Sequence, residues 1–305
     1  MSAKVFYSHG KLLLTGEYLV LDGAKALAVP TNKGQYLTVK PNATGKLTWK
    51  SFDDQNNVWY EDEFFLDNLK NIHTTNTISK TLLEIILVAQ QLNPKFLKES
   101  KGLCVTTKLT FSREFGLGSS STLIANIAKW ANVDPYQLLW QSFKGSGYDL
   151  ACATSNSALV YQLENLLPKV TSVSFMPPFK KHLYFVYLNK KQNSKEGIAH
   201  YRELPSFKKD AAINRVNVIT EALLTCKALS EFNSLLNEHE RLLSEVLQLP
   251  TVKSQLFTDY KGMVKSLGAW GGDFVLVIVN DTVDLKYFTD KGYETIFSFD
   301  EMLLT

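Results

Sequence analysis

The chain has 305 residues, enough for about two domains of ordinary size. Apolar residues make up 45% of it and charged residues 21%, a globular composition that excludes general disorder. The 33 basic and 30 acidic residues leave a net charge of +3, which is too small to indicate a nucleic-acid-binding protein. This nearly neutral net charge still allows a local cationic pocket that binds phosphate.

The cysteines and the apolar runs exclude further classes of protein. Cys104, Cys152 and Cys226 are far apart and no CxxC pair occurs, which excludes a zinc ribbon and a disulfide scaffold. The longest apolar run, 274–279, is far shorter than the ~20 residues that span a bilayer. The first sixteen residues do not resemble a signal peptide. We therefore expect a cytoplasmic protein with reduced thiols and no membrane partner.

The first half of the chain predicts strands interrupted by helices. Short β-rich pieces separated by Gly, Pro and Asn predict strands at 5–7, 11–14, 35–40 and 46–50. Apolar residues at helical spacing between Ile78 and Ala89 predict a helix, and the alternation from Leu103 to Phe111 predicts a half-buried strand. Two further helices are predicted at 119–131 and 135–143, the second with Asp134 as its N-cap and Pro135 at its first position.

The second half combines strands with long helical patterns. The predicted strands lie at 158–163, 170–175, 183–188, 274–279 and 294–299. The predicted helices lie at 209–226, 230–247, 252–266 and 284–290. Because strands and helices do not alternate strictly, the predicted fold class is α+β. A boundary near 188–191 predicts an N-terminal domain over 1–188 and a C-terminal domain over 189–305.

The most informative segment is a Gly-Ser loop between a predicted strand and a predicted helix. It reads Gly116-Leu117-Gly118-Ser119-Ser120-Ser121. Glycine allows close backbone approach, and a helix start offers unpaired N–H groups that attract phosphate. A serine-capped helix after a glycine turn is the structural alternative. A Walker A loop would end in Gly-Lys-Ser/Thr, and a dinucleotide fingerprint would need a third Gly at Ser121, so neither fits.

This loop resembles the phosphate loop of the GHMP small-molecule kinases, Pro-x-x-x-Gly-Leu-Gly-Ser-Ser, with Ser112 in place of the Pro. Three further segments resemble GHMP motifs in the expected order. Residues 10–23 resemble the N-terminal motif of mevalonate and phosphomevalonate kinases, and residues 145–151 resemble the Ser-Gly-x-Asp segment. Residues 265–273 resemble the motif Lys-x-x-Gly-Ala-Gly-Gly-Gly-Asp, with Trp270 at one Gly.

The resemblance implies the two-domain GHMP-kinase fold, with an N-terminal domain like ribosomal protein S5 domain 2 and a ferredoxin-like C-terminal domain. It implies an ATP-dependent, Mg²⁺-dependent phosphotransferase that acts on a small-molecule alcohol. Mevalonate is the predicted acceptor and phosphomevalonate is the alternative. A catalytically weak, ligand-binding relative is the hypothesis from another class. Monomer and homodimer both remain open.

The resemblance also implies roles for single residues. Asp149 would take the proton of the acceptor hydroxyl, and Lys11 would pair with Asp149 and neutralise the transferring charge. The loop from Gly116 to Ser121 would bind the ATP phosphates. Ser120 would be a metal ligand, since Leu138 stands where mevalonate kinases carry a Glu. The residues predicted to bind the acceptor are Glu17, Tyr18, Ser194, Gly268, Ala269 and Trp270. Ser194 belongs to the basic segment 189–196, for which a solvated charge run is the alternative.

Overall fold

The structure, a computed structural model, describes residues 2–71, 73–143, 145–205 and 207–304. They form two compact units, each made of segments that are not consecutive in the chain. Unit 1 comprises Met1–Gly10, Lys33–Arg113 and Leu117–Thr154. Unit 2 comprises Lys11–Asn32, Glu114–Gly116 and Ser155–Thr305. The division into 1–188 and 189–305 stays a prediction. No helix among the described residues is long and apolar enough to cross a membrane.

The elements up to residue 154 include all those of unit 1. Two of these strands also contain residues of unit 2. In chain order they are β1 (Lys4–Leu13), β2 (Ala26–Pro41), β3 (Lys46–Phe52), β4 (Val58–Phe65), α1 (Thr77–Leu92), β5 (Leu103–Leu109), α2 (Ser119–Ala131), α3 (Pro135–Ser142) and α4 (Tyr148–Thr154). In unit 1 the strand order is β4-β3-β5-β2, with β3 parallel to β5 and the other two pairs antiparallel. Strand β4 was not predicted.

The helices of unit 1 start where their capping residues indicate. The Asn76 side chain accepts hydrogen bonds from the first turn of α1, and Asp134 accepts one from the Gln137 N–H at 2.8 Å in α3. Such caps satisfy backbone donors that a helix start leaves unpaired. Helix α2 contacts α1, α3 and α4, and the four helices share one apolar core.

The remaining elements belong to unit 2. They are β6 (Leu159–Glu164), β7 (Leu167–Ser172), β8 (Leu183–Tyr187), α5 (Ser194–Glu203), α6 (Phe207–Thr225), α7 (Leu229–Leu247), α8 (Val252–Leu256), β9 (Val264–Ser266), β10 (Phe274–Ile278), α9 (Lys286–Thr289), β11 (Ile296–Ser298) and α10 (Phe299–Met302). An antiparallel sheet has the order β11-β8-β10-β9, with every residue of β10 buried. The start of β2 pairs with β6, and α6 packs against α7.

The helix predicted over 252–266 is wrong beyond its first five residues. Helix α8 ends at Leu256, and β9 follows at Val264–Ser266. Strand β9 pairs with β10, where Lys265 lies opposite Leu276. The hydrogen bonds of this ladder, and the buried partners that Lys265 finds, outweigh the local helical spacing. The end of the basic segment 189–196 forms the start of α5.

Candidate active site

The Gly-Ser loop leads into α2 as predicted. Gly116 and Gly118 have φ angles of 65° and 84°, in the left-handed region that glycine adopts readily. Gly118 is the N-cap of α2, and no side-chain hydrogen bond caps the helix there. The N–H groups of its first turn, together with the exposed Ser120, therefore form a surface suited to phosphate oxygens.

The entry to this loop belongs to unit 2. Phe115 packs against Tyr187 and Phe274 with ring centroids 4.9 Å and 5.3 Å apart, and the Tyr187 hydroxyl donates to the Glu114 carbonyl at 3.3 Å. The Gly116 backbone approaches the Asp273 carboxylate so closely that a Cβ at Gly116 would overlap it. Residue 116 must therefore be glycine both for its φ angle and for this contact.

Lys11, Gly268 and Asp273 lie together beside that entry. Lys11, on β1, is largely buried, and a Cβ on Gly268 would stand 3.9 Å from its Nζ. Burial raises the pKa of the Asp273 carboxyl, while the Lys11 ammonium and the Gln192 N–H, 3.2 Å from Oδ1, oppose that rise. Asp273 is the last residue of the third motif, and the sequence predicts no role for it. Its φ of 56° is not visible in the sequence.

Asp149 occupies the first turn of α4 in unit 1. It is half-buried, and it follows Gly147, whose φ angle of 91° forms the turn into the helix. Helix α4 packs against α2, so unit 1 carries the aspartate and the three loop serines on neighbouring helices. Lys11 belongs to unit 2, and its pairing with Asp149 stays a prediction.

The predicted acceptor residues of the first and third motifs meet in unit 2. The Glu17 carboxylate is fully buried and accepts from the Lys265 ammonium at 2.6 Å. The Tyr18 hydroxyl accepts from the Trp270 backbone N–H at 3.2 Å. Gly268 has a φ angle of 67° and Ala269 is buried. These contacts connect the turn at 16–18 directly to the turn at 268–273.

Trp270 and Ser194 have very different surroundings. The Trp270 indole is 5% exposed, lies in the apolar core of unit 2 and donates from Nε1 to the Pro250 carbonyl at 2.9 Å. Ser194 is the exposed first residue of α5. Gly197, one turn further along α5, leaves no room for a Cβ beside the Tyr18 hydroxyl. The role of each of them in acceptor binding stays a prediction.

The residues present fit a Mg²⁺ ion that binds through the Ser120 hydroxyl and substrate phosphates. Leu138 is fully buried in the core of unit 1, and within the described ranges no three His, Cys, Asp or Glu side chains are grouped to hold a metal. Mg²⁺ often keeps its waters and binds through few protein oxygens plus substrate phosphates. The exposed Ser120 hydroxyl is compatible with such a site.

Comparisons with known proteins bear on the fold of the chain. No family model and no curated protein matches the sequence, but solved structures do. Methanococcus jannaschii mevalonate kinase is 18% identical with a TM-score of 0.74, over 100% of this chain and 99% of that one. The chain has the GHMP-kinase fold.

Two further structures with this fold bind different molecules. Streptococcus pneumoniae phosphomevalonate kinase, in complex with phosphomevalonate and AMPPNP, is 16% identical with a TM-score of 0.70, over 97% of this chain and 100% of that one. Lactococcus lactis galactokinase, complexed with galactose, is also 16% identical, with a TM-score of 0.69 over 99% and 94%. These likenesses confirm the predicted two-domain fold class, and they do not distinguish between acceptors.

Proposed function

We propose that the protein is an ATP-dependent, GHMP-type kinase that phosphorylates a small-molecule alcohol, with mevalonate as the acceptor. The observation that carries the proposal is the loop of Gly116 and Gly118, which opens an uncapped helix in a chain with the GHMP-kinase fold. The four segments that resemble GHMP motifs occur along the chain in the order expected for the family, which also supports the proposal. Lys11, beside the loop entry, supplies a cation that can neutralise phosphate charge.

The proposed reaction moves the γ-phosphoryl group of ATP to the acceptor oxygen. The N–H groups from Gly116 to Ser121 hold the phosphates, the bond between the γ-phosphorus and the β–γ bridging oxygen breaks, and a bond to the acceptor oxygen forms. Asp149 takes the proton that the acceptor hydroxyl loses. Lys11 neutralises charge on the transferring group. Mg²⁺, when bound, neutralises phosphate charge, and Ser120 is its proposed protein ligand.

Phosphomevalonate is the alternative acceptor. The segment Gly145-Ser146-Gly147 and the absence of a Glu at position 138 both favour it. Lys190, Lys191 and Lys195 would then neutralise the additional phosphate, and Asp149 would position the acceptor without removing a proton. The third hypothesis is a catalytically weak relative, and it is motivated by Leu138 in place of a Glu and by Trp270 in place of a Gly. It is weakened by the Trp270 indole, which lies in the core of unit 2.

The test is an ADP-release assay with Mg²⁺ and ATP, in which mevalonate, phosphomevalonate and galactose are compared with a reaction that lacks acceptor. We expect ADP release above that background with mevalonate. Release with phosphomevalonate alone would replace the acceptor and keep the reaction class. Binding of Mg·ATP without ADP release in any arm would overturn the kinase proposal in favour of a ligand-binding protein.

A further inference from the structure

Behind the first and third motifs, unit 2 buries a cluster of ionisable side chains, which we call the buried charge cluster: Glu17, His239, Glu240 and Lys265. All four are at least 97% buried. Glu17 and Lys265 belong to motifs that the sequence shows. His239 and Glu240 lie on α7, outside every motif, and the proposed reaction assigns them no role.

Lys265 is the centre of this cluster. Its ammonium donates to Glu17 Oε1 and to the Ser266 carbonyl, both at 2.6 Å, and lies 3.5 Å from Glu240 Oε2. Glu240 in turn accepts from the Ser266 hydroxyl at 2.7 Å and from the Ser266 N–H at 3.2 Å. Helix α7 thereby holds the end of β9, directly before the turn at Gly268.

His239 holds the other turn. Its Nε2 accepts from the Gly16 N–H at 3.0 Å and lies 3.5 Å from Glu17 Oε2. Burial, with the nearby Lys265 ammonium, lowers the pKa of His239 well below its usual value, so the ring is neutral. Because Nε2 accepts, the ring proton is on Nδ1, which has no hydrogen-bond partner among the described residues.

Both turns contain residues with strained backbone angles. These angles persist only when the surrounding structure holds them. Tyr18 has φ 59° and ψ −45°, and the Leu19 N–H donates to the Glu17 carbonyl at 2.6 Å, which makes Tyr18 the centre of a strained γ-turn. Asp273 is a non-glycine residue with φ 56°. Strained residues of this kind persist only where their surroundings over-determine them, and they concentrate at functional sites.

Stability alone is a poor explanation for this cluster. Removing ions from water is costly, and well-packed apolar residues often replace a buried ion pair without loss of stability. What apolar side chains cannot provide is the fixed acceptor for the Gly16 N–H and the fixed anchor for Ser266. The cluster therefore supplies geometry to the two turns.

Resting on the kinase function proposed above, we propose that His239 and Glu240 are positioning residues. They fix the turn at 16–18 and the turn at 268–273, and through these turns they place Asp273 against Gly116 and Gly268 beside Lys11. Glu17 belongs to the same buried charge cluster. It acts by holding the turns and does not touch the acceptor.

The test compares His239→Leu, which removes the acceptor for the Gly16 N–H, with His239→Gln, whose amide oxygen can replace Nε2. Glu240→Gln is the second variant, and Glu238→Gln is the matched control, because its side chain lies on the same helix and pairs with Arg215 at the surface. Each is measured for kcat, for the affinity of Mg·ATP, for thermal unfolding, and for hydrogen exchange of the amides in 15–19 and 264–273.

We expect kcat to fall about 10-fold to 100-fold in His239→Leu and Glu240→Gln, because small displacements of reacting groups cost that much. His239→Gln recovers most of the rate, the affinity of Mg·ATP changes less than 3-fold, and exchange accelerates in the two turns. Glu238→Gln matches the wild type. Unchanged kcat with a lower unfolding temperature would reduce the cluster to a structural role and overturn the proposal.

The two proposals fail separately in this design. A wild type that transfers no phosphate refutes the kinase function, whereas exchange rates do not depend on activity. If His239→Leu does not fold, His239→Gln and Glu240→Gln still test the proposal. A Glu240→Gln variant whose kcat and amide exchange rates match those of the wild type overturns the positioning role.

Discussion

The two units support their candidate site residues by opposite means. In unit 1, α2 and α4 carry the loop serines and Asp149 on an apolar core that includes the fully buried Leu138 and Leu150. In unit 2, the turns of the first and third motifs rest on the buried charge cluster. An apolar core responds to substitution through cavities and is indifferent to pH, whereas a charged one responds through unpaired charges and is sensitive to pH.

The largest effect is expected at Asp149, which is supported by the apolar core of unit 1. Asp149→Asn should lower kcat by about 10²- to 10⁴-fold, because it removes the proposed general base. The affinity of Mg·ATP should stay near that of the wild type. Single-turnover rates at saturating ATP measure the loss. Asp210→Asn is the control, because Asp210 is an exposed carboxylate in the first turn of α6. Near-normal turnover in Asp149→Asn would remove it from the chemistry.

The next effect contrasts the two kinds of support directly. Lys265→Met leaves Glu17 and Glu240 buried without their cation and should cost about 3–5 kcal/mol of unfolding free energy at neutral pH. Leu138→Ala should cost about 2–5 kcal/mol through its cavity. Urea unfolding at pH 7.5 and pH 5 distinguishes them.

The sign of the pH effect follows from Glu17. Burial raises the pKa of the Glu17 carboxyl in the folded chain. The contribution of Glu17 to folding stability is therefore fully present below its ordinary pKa, and it is lost as pH rises through the raised pKa. Because the Lys265 ammonium opposes this rise, its removal raises the pKa of Glu17 further. The loss in Lys265→Met should therefore be smaller at pH 5, while the loss in Leu138→Ala stays constant. Equal pH dependence in the two variants would contradict the contrast.

A smaller effect is expected from the neutral His239. Because its folded pKa is lowered, the unfolded chain takes up a proton below about pH 6.5 that the folded chain does not, and stability falls as pH falls. The loss from this group is about 1.4 kcal/mol per pH unit below 6.5. The difference in unfolding free energy between wild type and His239→Gln, followed from pH 7.5 to 5.5, isolates it, since Glu17, Glu240 and Lys265 remain in both. Parallel curves would mean that the pKa of His239 is the same in the folded and the unfolded chain.

The smallest effect is expected at Trp270. Trp270→Phe keeps most of the apolar volume but loses the hydrogen bond to the Pro250 carbonyl, which contributes about 1 kcal/mol. Since the indole packs in the core, the KM for the acceptor should not change. Thermal unfolding and acceptor titration test the two statements separately, and a changed KM with unchanged stability would place the indole in the acceptor pocket.

The sequence was most informative where function and local backbone coincide. Glycines at 116 and 118, followed by serines, predicted the turn and the start of α2, and Asp134 with Pro135 predicted the start of α3. These features are local, so capping and turn chemistry suffice to read them.

The parts that the sequence did not predict depend on distant partners. Lys265 follows the helical spacing of 252–266, and only its contacts with Glu17 and Glu240 explain why it is buried in a strand. His239 and Glu240 lie within an ordinary amphipathic pattern on α7, more than two hundred residues from the Gly16 N–H that His239 accepts. No local pattern marks such residues.

The approach of Asp273 to Gly116 has a consequence for recombination between related genes. The Gly-Ser loop and the third motif are distant in sequence, yet the Asp273 side chain of the motif fills the space beside Gly116 of the loop. A chimera that takes the loop from one parent and the third motif from another will retain the loop only when the parents are compatible at both positions.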